Sequence, residues 1–402
     1  MTTAIILCAG KSSRLQPALC GRPKWMVDIC GLPLLQHMVN GLHGCGVYRT
    51  VVLRSHFPDS VRTPSILYRD QAPRANMLAT LMEARDEVWG DVMVCYGDLL
   101  CEPRVLACAA SSTADIGVLV DRSWTNLFSL RADDPRDIAE SCSIDGGRIV
   151  DLGRKLGASD PTPSAQYIGV IRLSPQGADT FGAVYRELEQ SFAGRPWRNA
   201  RSFEHAYMTD FLQELIDRGH RVSPLVVSGG WLEFDTAEDL ALGHRVSNGC
   251  HPDVLDVAQL SKFPSVASAG GVALRRVGRQ RHEALLVGSG QAGEWRIPKG
   301  MLLPGERPED GACREFQEET GAPAKVSGYL CTAEWDYVHA EISWHERCVF
   351  FAMECAPDST PLPDSEHEVC DWVEVEHPER VLKFPAESHA VALALNRALG
   401  VR

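Results

Sequence analysis

One stretch of this chain tolerates very few folds. From Gly300 to Ala322 the sequence GMLLPGERPEDGACREFQEETGA runs from a loop into a helical pattern, and Glu315, Glu318 and Glu319 fall at i, i+3 and i+4. On a helix that spacing stacks three carboxylates on one face within one turn. Like charges so close destabilise a bare helix, so their natural partner is a hard divalent cation with oxygen ligands, Mg or alternatively Mn. Such an ion bridges phosphate oxygens, offsets charge as a P–O bond breaks and activates water. Gly300 and Gly305 let the loop turn tightly, and Pro308 and Glu309 suit the first turn of a helix over Pro308 to Thr320. A solvated acidic helix face is the competing reading. The anchors Gly300, Glu306 and Arg314, all in register with the carboxylates, weigh against it.

Gly300, Glu306, Arg314, Glu315, Phe316, Glu318, Glu319, Gly321 and Ala322 fill, in order, the pattern of the Nudix hydrolases, which this region resembles from about Val266 to Leu399. The resemblance implies an α/β/α sandwich. It further implies Glu318 and Glu319 as principal metal ligands, Glu315 as a further ligand or base, and Arg314 and Glu306 as orienting partners. Trp295 to Lys299 is similar to the W-x-x-P-K-G strand of members acting on dinucleoside polyphosphates, with Lys299 toward substrate. Glu366 or Glu368 could supply a remote base, although each also reads as a surface carboxylate.

At 402 residues the chain exceeds one ordinary core. With 45% hydrophobic and 23% charged residues it has the composition of a soluble globular protein. No apolar run approaches the roughly 20 residues of a membrane span, and the start carries no basic leader, so no membrane and a cytoplasmic setting are expected. The 14 cysteines show no CxxC pair and read as buried, reduced thiols. A net charge of -13 argues against nucleic acid as partner, while local Arg and Lys can still hold a small anion. The oligomeric state is left open. Strand and helix patterns alternate as in an α/β domain with a largely parallel sheet over residues 1–247, a compositional shift marks a linker at 248–265, and the pattern restarts over 266–402.

In the first region IILCAGKSSRL, with Gly10, Ser12, Ser13 and Arg14, follows a strand and precedes RPKWMVDICGLPLLQHMV, with Pro23 and Lys24. A Walker loop would need glycine where Ile5 stands, and no G-x-G-x-x-G is present. A simple structural turn at Gly10 is the plain alternative. Farther on, Asp98 in VMVCYGDLL closes a strand and Asp235 in WLEFDTAEDL enters a helix, where it could equally be an N-cap. Together these segments resemble the Rossmann-like, GT-A-type nucleotidyltransferases, with Ser12 in place of a second glycine as in some molybdenum-cofactor relatives. The resemblance implies that the Gly10 loop cradles an NTP, that Arg14 and Lys24 neutralise the triphosphate and leaving pyrophosphate, and that Asp98 and Asp235 hold Mg. QYIGVIRLSP at Gln166 to Pro175 resembles the segment before the acceptor site.

Asn76, ahead of a helix in RANMLATLMEARDEVWGDVMVCYGDLL, makes the region similar to cytidylyltransferases for phosphocholine and phosphonates. CTP and a small phosphorylated acceptor are the expected substrates. Trp124, Tyr167 and Trp231 are candidates for a cage around a quaternary ammonium, with core packing as the commoner use of such residues. The alternatives are a sugar-1-phosphate nucleotidyltransferase joined to an NDP-sugar pyrophosphatase, and a chain in which one domain senses a nucleotide and regulates the other.

Overall fold

The computed structural model describes residues 2–400, apart from 11–13, 16–18, 20–21, 55–65, 71–75, 132–138, 157–161, 279–280, 290–293, 340–341, 357–359 and 365–366. The chain divides into two compact units, the first ending at Pro264 and the second beginning at Ser265.

In the first unit the apolar runs AIIL and VMVCY form strands Thr2–Cys8 and Asp91–Tyr96, buried almost throughout, as strands covered on both faces must be. Thr2–Cys8 pairs in parallel with Asp91–Tyr96 and with Arg49–Arg54, which in turn pairs in parallel with Ile66–Asp70. The sheet is nonetheless mixed. Strand Ala165–Leu173 runs antiparallel to both Asp91–Tyr96 and Ile116–Asp121, while Val222–Val227 returns parallel to the latter. Within Ala165–Leu173 the register with Ile116–Asp121 shifts between Tyr167 and Ile171, where Gly169 adopts a φ of +80°. The expected ribbon is a hairpin of Ser141–Asp145 and Arg148–Leu152, turning through Gly146 and Gly147 at positive φ. Helices Leu34–Gly44, Met77–Glu83, Pro175–Phe192, Met208–Asp217 and Ala237–Ser247 accompany the sheet.

Residues 248–264 are packed onto the first unit. Val254, Leu255 and Leu260 are buried in its core, Gly230 N–H donates to the Val254 carbonyl at 2.6 Å, and Asp256 N–H donates to Glu102 Oε1 at 2.8 Å. The apolar side chains spaced through this polar stretch give it a docking face that its Asn, Gly and Pro content concealed.

In the second unit strand Ser265–Val277 pairs in parallel with Ile342–Cys355 and antiparallel with Arg281–Gly288 and Lys299–Met301. Ala324–His339 and Ile342–Cys355 form a long antiparallel pair, and Val369–Glu374 extends the sheet beyond Arg281–Gly288. Helix Pro308–Thr320 contacts Ser265–Val277 and Lys299–Met301. Helix Pro385–Ala398 buries Ala390, Val391 and Ala394 against Val272, Leu286 and Phe350. Both units are mixed α/β. Among the described residues no disulfide forms, and no helix is long and apolar enough to cross a membrane.

Candidate functional sites

Strands Thr2–Cys8 and Asp91–Tyr96 end side by side, where Gly97 N–H donates to the Leu7 carbonyl at 3.0 Å. A Cβ on Gly97 would strike the Cys8 sulfur, so glycine is what lets the chain pass there and deliver Asp98. Gly10, Lys24, Met77, Gly97 and Asp98 line one cleft at these strand ends. Asp235 arrives by a second route. The short strand Leu99–Cys101 pairs antiparallel with Trp231–Glu233, and Phe234 N–H donates to the Asp98 carbonyl at 3.1 Å.

Lys24 joins the two aspartates. Its ammonium lies 3.0 Å from Asp98 Oδ2 and also bonds Asp235 Oδ1, while Arg14 Nη2 reaches Asp235 Oδ2 at 2.7 Å. The helix that follows is capped by Thr236, whose hydroxyl accepts from Asp239 N–H. Asp235 is therefore not the N-cap, and its carboxylate is turned to the cations instead. Sequence reasoning missed a third carboxylate, Glu233. Oxygens of Asp98, Glu233 and Asp235 all lie within 4.8 Å of one another. The signal was available, because residues two apart on an extended segment share a face, and Glu233 stands two before Asp235.

This cluster is under electrostatic tension. Burial raises the Asp98 carboxyl above its ordinary value against the pull of Lys24. Burial acts the same way on Asp235, but Lys24 and Arg14 outweigh it and hold that carboxyl low. Glu233 is raised by burial and by Asp235 and Asp98. Desolvation, with Asp98, Asp235 and Asp210 adding repulsion, pushes the Glu140 carboxyl up to about 8. Asp98 Oδ1 is buried without a hydrogen-bond partner. An oxygen-rich, over-acidic cluster with an orphaned buried acceptor has the chemistry of a divalent-cation site.

The remaining predicted residues fall elsewhere or serve locally. Asn76 caps helix Met77–Glu83, its Oδ1 accepting from Met77 N–H at 2.8 Å and its Nδ2 donating to the His205 carbonyl at 3.3 Å. Ser12 and Ser13 lie outside the described residues. The three cage candidates are packed in the core: Trp124 is 3% exposed and meets Phe128 edge-on, Tyr167 is 1% exposed against Tyr96, and Trp231 is 1% exposed with its indole N–H on Asp121. Each ring is covered by its neighbours, which leaves no open aromatic face for an ammonium group.

In the second unit the Pro308–Thr320 helix places Glu315 and Glu318 on one shared cation, Arg314, with Glu318 exposed and Glu319 turned inward. The three carboxylates therefore do not converge as closely as Asp98, Glu233 and Asp235 do. Arg314 grips Glu306 through two bonds of 2.8 Å, reaches Glu315 at 2.7 Å and Glu318 at 2.9 Å, and donates to the Met301 carbonyl at 3.0 Å. Gly300 passes so close to Glu315 that a Cβ there would run into its carboxylate. Gly321 ends the helix in the left-handed conformation, φ +68°. Glu319 is buried and accepts from Lys299 N–H at 3.1 Å. Burial, with Glu315 and Asp364 adding repulsion, pushes its carboxyl up to about 8, and Glu315 is raised mainly by burial. At Glu306 burial is outweighed by Arg314 and the Leu303 N–H, which hold the carboxyl low. Buried carboxylates in such mutual repulsion fit a hard cation. The Lys299 ammonium lies 3.5 Å from Glu346 Oε1. Asp364 and Glu346 were not anticipated, because nothing in their local sequence marks them. Glu368 is exposed, and Glu366 lies outside the described residues.

Two family descriptions match the chain, "MobA-like NTP transferase domain" over residues 4–148 and "NUDIX domain" over residues 266–394. Among curated proteins the chain is 28% identical over 250 residues to CTP:phosphoglutamine cytidylyltransferase of Campylobacter jejuni, covering 59% of this chain and 97% of that one. It is 29% identical over 206 residues to CMP-5'-(3-aminopropyl)phosphonate synthase of Streptomyces rubellomurinus, covering 48% and 31%, and 27% identical over 243 residues to the bifunctional protein GlmU of Alcanivorax borkumensis, covering 58% and 49%. The chain thus spans nearly all of the first relative and half or less of the other two. It carries an N-terminal MobA-like NTP transferase domain with cytidylyltransferase homologues and a C-terminal NUDIX domain, and both are enzyme domains.

Proposed function

We propose that the first unit transfers a cytidylyl group from CTP to a small phosphorylated or phosphono acceptor, releasing pyrophosphate, and that the second unit hydrolyses a nucleoside diphosphate-linked compound. The observation that carries the first half is the meeting of Lys24, Asp98 and Asp235, drawn from three distant segments, in an over-acidic cleft beside the Gly10 loop. Asp98, Asp235 and Glu233 are the residues that would hold a divalent ion, which when bound supplies charge neutralisation at the phosphates. Lys24 and Arg14 face the anionic triphosphate, and Lys24 is the tethered counter-ion of the aspartates. The acceptor phosphate itself is the nucleophile, so positioning and electrostatics suffice and no protein nucleophile is needed.

In the second unit Glu315, Glu318 and Glu319 would hold Mg or Mn, Arg314 and Glu306 orient them, and Lys299 meets substrate phosphate. The names of the Campylobacter and Streptomyces relatives support a phosphorylated or phosphonate acceptor that bears an amine; phosphocholine shares the cationic nitrogen, as a quaternary ammonium. A sugar-1-phosphate acceptor is the second reading, favoured by the likeness to GlmU. The test is pyrophosphate release from CTP, UTP, dTTP and GTP against a panel of aminoalkyl phosphates, phosphonates and sugar 1-phosphates. CTP with an amine-bearing acceptor is expected to lead. Preference for UTP or dTTP with a sugar phosphate would move the assignment to the second reading.

A further inference from the structure

Glu233 and Asp235 stand two residues apart on and just after the short strand Trp231–Glu233, so the spacing of their carboxylates is set by how that segment is held. Their oxygens lie within 4.8 Å of one another and of Asp98, close enough for like charges to push the segment away. Residues 121–131 of the first unit supply the restraint. Asp121 is buried and accepts from Gly229 N–H at 3.1 Å and from the Trp231 indole N–H at 2.8 Å, which fixes the start of the segment. Arg131 fixes its end.

The Arg131 side chain is only 8% exposed. Its backbone N–H donates to the Phe128 carbonyl at 3.1 Å, and its guanidinium lies over the Phe128 ring, 4.7 Å from the centre. Nη2 donates to the Glu233 carbonyl at 3.2 Å, and Nε stands 2.9 Å from Asp239 Oδ1 in an ion pair. Asp239 is itself buried and accepts with its other oxygen from Asp235 N–H at 2.9 Å and from Thr236 N–H at 2.8 Å. One guanidinium thus ties the backbone of Glu233 directly, and that of Asp235 through Asp239, to a ring of the core. Among the described residues it bonds to none of the three clustered carboxylates. Its charge still reaches them. Burial raises the Glu233 and Asp235 carboxyls, and Arg131 pulls each the other way, at Asp235 alongside Lys24 and Arg14. Desolvation offsets most of what a buried ion pair adds to stability, so stability alone is a poor account of an arginine in this place.

We propose that Arg131 is a positioning residue for the divalent ion of the first unit: acting through Asp239 and the Glu233 carbonyl, it holds Glu233 and Asp235 at the separation that an ion shared with Asp98 requires. The proposal deepens the transferase reading and rests on it. Groups that orient metal ligands in this way contribute about 10–100-fold to metal affinity. Lysine keeps the charge, but its single ammonium cannot reproduce a planar fork aimed at two partners.

Binding of Mn to the full chain is followed through the electron paramagnetic resonance signal of the free ion, and the part lost in Asp98→Ala is the share of the first unit. Arg131→Met is expected to weaken that share by about tenfold, and Arg131→Lys by less. The Mg concentration for half-maximal pyrophosphate release should rise in step, while KM for CTP at saturating Mg stays within about twofold. A purely structural role would lower the melting temperature and leave the Mn affinity of the folded chain in place, and that result would overturn the proposal. Should Arg131→Met fail to fold, Arg131→Lys and Asp239→Asn carry the test. Each is expected to weaken Mn binding by about threefold or more, and parental affinity in both would overturn the proposal. If Asp98→Ala binds Mn as the parent chain does, the cluster holds no ion, and the reading and the proposal fall together. If Asp98→Ala loses binding and folded Arg131→Met keeps it, the proposal alone falls.

Discussion

The two carboxylate clusters meet the same electrostatic demand with opposite use of the chain. In the second unit Glu306, Arg314, Glu315, Glu318 and Glu319 lie within fourteen residues of sequence, and Arg314 is the built-in counter-ion on the same helix. In the first unit the counter-ion, Lys24, stands 74 residues from Asp98 and 211 from Asp235, and only the fold unites them. A cluster written into one helix survives as long as that helix is seated. A cluster assembled from remote segments reports on the whole sheet.

The comparison breaks most sharply by removing one carboxylate from each. Asp98→Ala should lower transferase turnover by about a thousandfold and leave hydrolysis within about twofold, and Glu319→Ala should do the reverse. Loss of both activities from either change would show that the sites are not independent. Next in size is Lys24→Ala. Transferase kcat should fall by about a hundredfold. Because the substitution strips buried Asp98 of its counter-ion and leaves Asp235 with Arg14 alone, the melting temperature should also drop without divalent ions and recover more on adding Mg than that of the parent chain.

Gly300→Ala tests how tightly the helix-borne cluster is packed. A methyl group against Glu315 should cost about 1–3 kcal/mol in chemical denaturation and displace the carboxylate. Hydrolysis should then fall more than stability alone explains. A smaller effect concerns pH. With divalent ions chelated, Glu319 keeps its proton up to about 8 in the folded chain against 4.5 in the ordinary state, so the folded form binds more protons between those values. This contribution to stability is complete below about 4.5 and is lost as pH climbs through about 8, and Glu319→Gln should flatten that slope in thermal melts. The smallest expected change is Asn76→Ala, about 1 kcal/mol from the lost cap of helix Met77–Glu83, with Asn76→Asp retaining most of it. A shift in nucleotide preference without that stability change would instead put Asn76 in contact with the base.

How much could be read beforehand follows from the same contrast. The Pro308–Thr320 helix, its loop and its carboxylates were legible because i, i+3 and i+4 geometry is local. Asp98 and Asp235 were joined beforehand only by the resemblance, because their union through Lys24 depends on strand pairing between Leu99–Cys101 and Trp231–Glu233, which no short window encodes. Glu233 escaped notice although its spacing from Asp235 was in plain view. The aromatic residues misled for a different reason: Trp and Tyr look alike in sequence whether they line a pocket or fill a core, and only neighbours such as Asp121 and Phe128 decide. The register shift within Ala165–Leu173 falls at Gly169, whose positive φ the sequence leaves free.

The docked segment after helix Ala237–Ser247 bears on any attempt to dissect the protein. A cut before His251 would remove Val254 and Leu255 from the transferase half and leave an apolar scar on its surface, so that half would be expected to aggregate for reasons unrelated to catalysis. A break placed after Pro264 takes the whole segment along and gives each half its fair trial.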